Sequence, residues 1–535
     1  MFLTLLSSLL LGTPADVIYP RTPVIADRPY NVVAEIVVPS ETAVPVKGTV
    51  EIALNGIPVR AVRSARLMGT GTVSPVYSRT KSSVFQTHYN RWAGGWSTWH
   101  DPRHARELCR VRPRSNTVTL PFSVDLVAAV NHFYISLEIA SRRTDLAAPF
   151  SCTVKSIRLA DGGEVPFKAV GDGVRRLGLA LRTHGDDGSD SYRIPGLART
   201  PKGTLVAVYD IRRDSGNDLN CDIDVGVSRS TDGGRHWEKM RVAMDMGEYG
   251  GLPQAQNGVG DPCVLVDERT GDIFIAAIWG HGLEGGAAIF NSKTGMDPIR
   301  VAQMVLVKST DDGRTWSKPV NITSQVKDPA WATCLGGPGN GITMQDGTLV
   351  FPFQWWDKDH IGSSGIIYSR DHGATWHFEG TATRNVCEDQ VVELEPGTLM
   401  LNMRNYGNDD RLRKVFVTKD LGKTWTAHPS NGTLPEPVCQ ASLVKFPAAR
   451  NRYGKDILLF SNPDSRKVRE RMTVRASLDH GMTWPYKLLL DEEPGWGYSC
   501  LCPIDAETVG ILYEGSAAQL VFQVIRLSDI LGGVD

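Results

Sequence analysis

An all-β protein is predicted, a six-bladed β-propeller behind an N-terminal β-sandwich, and three observations predict it. Five segments repeat the pattern S/T-x-D-x-G-x-x-W: STDGGRHW from Ser230, STDDGRTW from Ser309, SRDHGATW from Ser369, TKDLGKTW from Thr418 and SLDHGMTW from Ser477. Strand-like runs flank the copies, IDVGVSRS or KVFVTKD before and DGTLVFPF or PGTLMLNM after. The first part of the chain lacks the repeat and carries short alternating runs instead, such as YNVVAEIVVPS, GTVEIALNG and SNTVTLPFSVDL.

The repeat has the chemistry of a turn. Ser, Thr and Asp side chains bond nearby backbone amides, Gly permits positive φ, and Trp packs under the hairpin. Roughly 60 residues of strand and turn per unit make one four-stranded blade. Residues 175–535 then hold six blades. The sixth has no repeat and closes the ring with strands from both chain ends. Residues 17–165 form the sandwich, and LADGGEVPFKAVGDG at 160–173 reads as its last hairpin and a linker. NRWAGGWSTWHDPRH sets Trp92, Trp96 and Trp99 in one loop or hairpin. Core or domain-interface filling is preferred there over a sugar-stacking platform, because Trp is usually mostly buried.

Residues 1–15, MFLTLLSSLLLGTPA, are an apolar run followed by small residues, the pattern of an export leader without its basic start. The expected location is secreted, periplasmic or cell-surface. The run is too short to span a bilayer, and no other stretch is apolar enough, so no membrane span is expected. A net charge of -1 over 535 residues gives no bulk attraction to nucleic acid. The nine cysteines include no C-x-x-C pair, which argues against a zinc or redox motif. They read as small buried hydrophobes.

One short stretch points to chemistry. SYRIPGL, from Ser191, sets Arg193 inside an otherwise buried strand. Burying a guanidinium is expensive without an anionic partner. The repeats together with YRIP resemble the sialidases (exo-α-neuraminidases) over the C-terminal two thirds, and the sandwich resembles the accessory domain of some bacterial members.

That resemblance implies site residues. Arg193, Arg404 in LNMRN and Arg469 in RKVRERMTVRASLD match three arginines that clamp the sialic acid carboxylate. Arg471, two residues on and on the same strand face, competes with Arg469. Tyr498 in GWGYSCL matches the nucleophile, Glu388 in CEDQVVEL its base, and Asp218 in RRDSGNDLNCDIDVGVS the acid/base group. Arg212 matches an arginine beside the substrate carboxylate. Asp261 matches the contact to the N-acyl nitrogen, and Glu514 the residue orienting the first arginine. The implied activity is retaining hydrolysis of terminal α-linked sialic acids on glycoproteins, gangliosides and oligosaccharides, with no metal or organic cofactor. Transfer to an acceptor sugar, action on a related nonulosonic acid, and a non-catalytic sialic-acid-binding propeller are the alternatives.

The chemistry suits those residue types. A guanidinium is a planar fork that matches a carboxylate and stays charged. A free phenol, with a pKa near 10, is a weak nucleophile without a base. Beside an anomeric carbon that already bears a carboxylate, a neutral phenol avoids the like-charge contact that a nucleophilic carboxylate would make.

Overall fold

The computed structural model describes residues 14–72, 105–219, 221–282 and 288–532. Residues 1–13 of the expected 1–15 leader, and the tryptophans at 92, 96 and 99, lie outside the described residues. All nine cysteines are free thiols, seven of them buried.

Two sheets make up the N-terminal part. In one, Val32–Pro39 and Val62–Gly71 flank Val130–Ile139. In the other, Val44–Asn55 lies between Phe150–Leu159 and Thr117–Leu126. Val33 and Ile36 from the first sheet meet Val50, Ile52 and Ile157 from the second in one apolar cluster, as the period-2 runs require. The stretch read as a linker differs from expectation. Phe167–Val170 pairs with Ala15–Ile18, and Val174–Arg175 pairs with Phe150–Ser151, so the sandwich sheets extend past residue 165. These edge strands are short and partly exposed, and so carry little apolar signal.

Six further sheets follow in chain order. Six apolar clusters each join one sheet to the next. Representative pairs are Ala207 with Phe522, Val208 with Ile275, and Phe274 with Phe351. Ile366 with Leu401, Met400 with Phe460, and Leu459 with Ile511 complete the circuit. The first of these pairs links the last sheet back to the first, so the ring closes. The closing sheet pairs Leu177–Arg182 antiparallel with Leu520–Arg526, joining the start and end of the propeller chain as expected.

The repeats are built alike. In the fourth, Thr418 Oγ1 donates to Asp420 Oδ1 at 2.8 Å and accepts from the Gly422 amide at 3.0 Å. Asp420 Oδ1 also accepts the Thr424 amide at 2.9 Å. The tryptophans reach backwards to the preceding blade. Trp237 meets Phe522 edge-on at 5.0 Å, and Trp376 meets Phe274 at 6.3 Å. Each repeat therefore ties a hairpin end and seals an inter-blade seam.

Bonds from the Thr424 side chain and amide hold the Asp420 carboxyl down at about 2. A depressed carboxyl contributes stability above its unfolded value near 4, and this is lost as pH falls toward 2. Asp420→Asn is expected to lower the Tm by roughly 1–3 °C at pH 7. At pH 3 the deficit should be about half as large, read by calorimetry at both pH values.

Candidate active site

The site lies at the end of the propeller where the innermost strands begin. Arg193 is on Ser191–Arg199, Asp261 on Asn257–Val266 and Glu388 on Val386–Glu395. Each of these strands breaks register at the site: between Arg193 and Gly196, between Gly260 and Cys263, and between Cys387 and Asp389. Ile194, Asp261 and Glu388 have φ of 59°, 53° and 27°. Bulges of this kind re-aim side chains, and left-handed non-glycine residues store strain that the surrounding sheet must hold.

Arg193 is buried, and Glu514 is its partner. Nε donates to Glu514 Oε1 at 2.9 Å and Nη2 to Oε2 at 3.1 Å. The same carboxylate accepts the Ile194 amide at 3.0 Å and the Tyr498 amide at 3.2 Å. Burial works most strongly against the charged guanidinium, but Glu514 and Asp218 together outweigh it and raise the Arg193 pKa. Glu514 thus ties the arginine and the amide that follows it to the backbone of Tyr498.

Tyr498 stands at the centre. Its hydroxyl donates to Glu388 Oε1 in a short hydrogen bond and accepts from Arg404 Nη1 at 3.0 Å. Arg404 Nη1 also donates to Glu388 Oε2 at 2.5 Å. The guanidinium carbons of Arg193 and Arg469 lie 5.2 and 5.4 Å from the phenol ring centre. Burial and the Glu388 charge push the phenol well up, opposed by Arg404, Arg469 and Arg193. The resting group is therefore a neutral phenol whose proton already points at a carboxylate. Gly497, at φ 83°, leaves no room for a side chain, since a Cβ would stand 2.9 Å from Pro463 and 3.2 Å from Arg469.

Arg469 faces the site with its Nη1 and Nη2 donating to the carbonyls of Trp496 and Val438, both at 3.0 Å. Arg471 does not share its face. Both residues precede the strand Met472–Ser477, and Arg471 has φ 61°, which turns its exposed side chain elsewhere.

Asp218, expected from the resemblance as the acid/base group, sits on the loop after Leu205–Arg212. Asp218 Oδ1 is 2.6 Å from Arg212 Nη1 and 3.9 Å from Arg193 Nη1, and its side chain is 60% exposed. Desolvation pushes its pKa up, but Arg212, Arg193 and Arg469 together bring it below the usual range. Asp222 and Asp224 do other work: Asp222 accepts from Gln254, and Asp224 pairs with Arg213 at 2.8 Å.

Two residues of the site escaped sequence reasoning. Asp210, fully buried, takes Arg212 Nε at 3.2 Å and Nη2 at 2.9 Å on Oδ2, and the Asp261 amide at 2.9 Å on Oδ1. One carboxylate therefore orients both Arg212 and Asp261. Burial raises Asp210, with Arg212 opposing, and burial also raises Asp261, with the Asp210 and Asp218 charges adding to it. The available signal was an acid two residues before Arg212, and so on the same face of the apolar strand LVAVYDIR. Trp496 is the second residue, its ring 4.3 Å under the Arg193 guanidinium. Among the described residues no cluster of three His, Cys, Asp or Glu is arranged to hold a metal ion. No helix described is long and apolar enough to cross a membrane.

Comparison with known proteins follows the same lines. A family model described as a BNR repeat-like domain matches residues 194–484. The chain is 44% identical over 516 residues to a sialidase of Bacteroides fragilis, spanning 96% of this chain and 94% of that protein. It is 33% identical over 343 residues to a sialidase of Micromonospora viridifaciens, spanning 62% of this chain and 51% of that one. The solved structure of the Hadza microbial sialidase Hz136 superposes with a TM-score of 0.90 at 45% identity, covering 96% of this chain and all of that one.

Replacing Asp210 by Asn removes the charge that holds Arg212 while keeping the shape. Hydrogen bonds to charged groups contribute about 1.5–3 kcal/mol each. Steady-state assay of Asp210→Asn on an α-sialoside should show kcat/KM lower by roughly 10- to 100-fold, with the Tm lowered as well because a buried ion pair is broken.

Proposed function

Because this chain belongs to the sialidase family, we propose that it hydrolyses sialosides with retention, through a covalent sialosyl-tyrosine. It is an exo-α-sialidase, a glycoside hydrolase that removes terminal α-linked sialic acids from glycans. Arg193, Arg404 and Arg469 take the substrate carboxylate. Asp261 faces the N-acyl side, oriented by Asp210, and Arg212 stands beside the carboxylate.

The first step forms a bond from Tyr498 Oη to the anomeric carbon and breaks the bond from that carbon to the leaving oxygen. The phenol proton passes to Glu388, and Asp218 protonates the leaving oxygen. Water then attacks the same carbon. Asp218 takes the water proton, the tyrosyl oxygen leaves, and Glu388 returns its proton to it. Two inversions give net retention.

The single observation that carries this reading is the Tyr498 hydroxyl donating to Glu388 and accepting from Arg404. A phenol raised by burial needs a base, and it has one in contact. The three guanidiniums around the ring oppose the upward shift, which is stabilisation of the phenolate that forms.

The state of Asp218 has a mechanistic consequence. Its carboxylate leans on Arg212 and Arg193, which favours the charged form. A substrate carboxylate arriving at Arg193 neutralises part of that field and raises the Asp218 pKa. Binding itself thereby readies the acid.

Tyr498→Phe removes the nucleophilic oxygen and one hydrogen bond, with little change in volume. Its kcat on a fluorogenic α-sialoside should fall by at least about a hundredfold, while sialic acid release remains detectable. Acid-quenched wild-type enzyme in turnover should carry one sialosyl unit on the peptide containing Tyr498, read by mass spectrometry. Unmodified peptide together with near-wild-type turnover by the variant would refute the covalent step.

A further inference from the structure

Far from the catalytic end, the sandwich meets the first propeller sheet over a group of arginines. Two adjoining cavities of about 460 and 420 Å³ open there and share Arg142. Arg235 and His236 of the first repeat turn line one of them, and Arg60, Arg63, Arg112 and Arg143 line the other.

The carboxylates nearby are already engaged. Asp27 pairs with Arg63 at 2.9 Å, and Glu138 with Arg66 at 2.8 Å. Asp232 pairs with His236 at 2.5 Å, and Asp145 with Arg526 at 2.5 Å. Among the described residues, Arg60, Arg112, Arg142, Arg143 and Arg235 have no carboxylate partner, and all five are exposed. The whole chain has a net charge of -1, so this concentration of positive charge is local. It also lies well away from the catalytic arginines. Ser230, at the start of the repeat turn, pairs with Leu205, whereas Arg212 pairs with Ile223 at the other end of the same strands. Eight strand residues, roughly 25 Å, separate the two ends.

We propose that this arginine-lined junction binds an acidic oligosaccharide, one bearing sulfate or carboxylate groups on successive sugars, independently of the catalytic centre. Guanidinium forks suit either group. Two adjoining hollows with a shared arginine match a chain that presents anions at intervals, and each hollow has the size of a small-ligand site. Among the described lining residues, the His236 imidazole is the sole aromatic ring on which a nucleic acid base could stack.

The test is a calorimetric titration of the full chain at 50 mM salt. Heparin hexasaccharide supplies sulfate and hyaluronan hexasaccharide supplies carboxylate. Neither carries sialic acid, so binding is read without turnover and stands or falls apart from the sialidase chemistry. At least one should bind, weaken by about tenfold or more at 200 mM salt, and weaken at least tenfold in Arg112→Ser/Arg142→Ser. The tighter of the two identifies the anion. Cleavage of an α-sialoside by that variant should stay within twofold of the parent, which reports an intact fold. Should the double variant lose activity, the single exposed change Arg142→Glu is read the same way. The proposal is overturned if neither oligosaccharide binds at 50 mM salt, or if the variant binds as the parent does. It is also overturned if a thymidine oligonucleotide of equal charge binds as tightly.

Discussion

Three buried or half-buried guanidiniums converge on one phenol with a fourth, Arg212, beside Arg193, and the site depends on how their charge is compensated. Removing a guanidinium from water is costly, and several together repel one another. Arg193 rests on Glu514, Arg212 on Asp210 and Asp218, and Arg404 on Glu388. Arg469 is held by two backbone carbonyls and has no carboxylate of its own among the bonds described. The four carboxylates are thus taken up by Arg193, Arg212 and Arg404, which leaves Arg469 as the guanidinium to be met by one more small anion. In the proposed function that anion is the carboxylate of sialic acid, next to the bond to be broken.

The propeller is what makes such convergence feasible. Its innermost strands start around one axis, so residues far apart in the chain, such as Arg193, Glu388 and Tyr498, come within contact of one another. The bulges at Arg193, Asp261 and Glu388 then turn side chains that would otherwise follow the regular strand alternation. Their strained backbone is held by the six inter-blade clusters, to which the repeat tryptophans contribute. Fold and site are linked in this way: seams sealed at the repeat end keep the opposite end stiff enough to hold charges that repel.

Much of this was legible in the chain. The repeats carry their own turn chemistry and so announce blades, and an arginine within SYRIPGL announces a buried charge. The reach of Glu514 to Arg193 was legible only through family resemblance, since 321 residues separate them. Asp210 was missed because a buried acid in an apolar strand has no distinctive spacing until its partner is known to turn back on it. The Arg469 and Arg471 pair misled through periodicity. Alternation would put both on one face, but the positive φ at Arg471 ends that rule where the strand has not yet begun. The edge strands Phe167–Val170 and Val174–Arg175 read as a hairpin end and linker because they are short and mostly exposed and their pairing partners lie at distant positions.

The central claim, that the arginine cluster exists to hold one carboxylate, is tested most directly by comparing two inhibitors of the same shape. One is 2-deoxy-2,3-didehydro sialic acid, and the other is its uncharged C1 amide. Each charge-assisted bond lost is worth about 1.5–3 kcal/mol, so the amide should bind more weakly by at least about a hundredfold. Inhibition constants within threefold of each other would contradict the account.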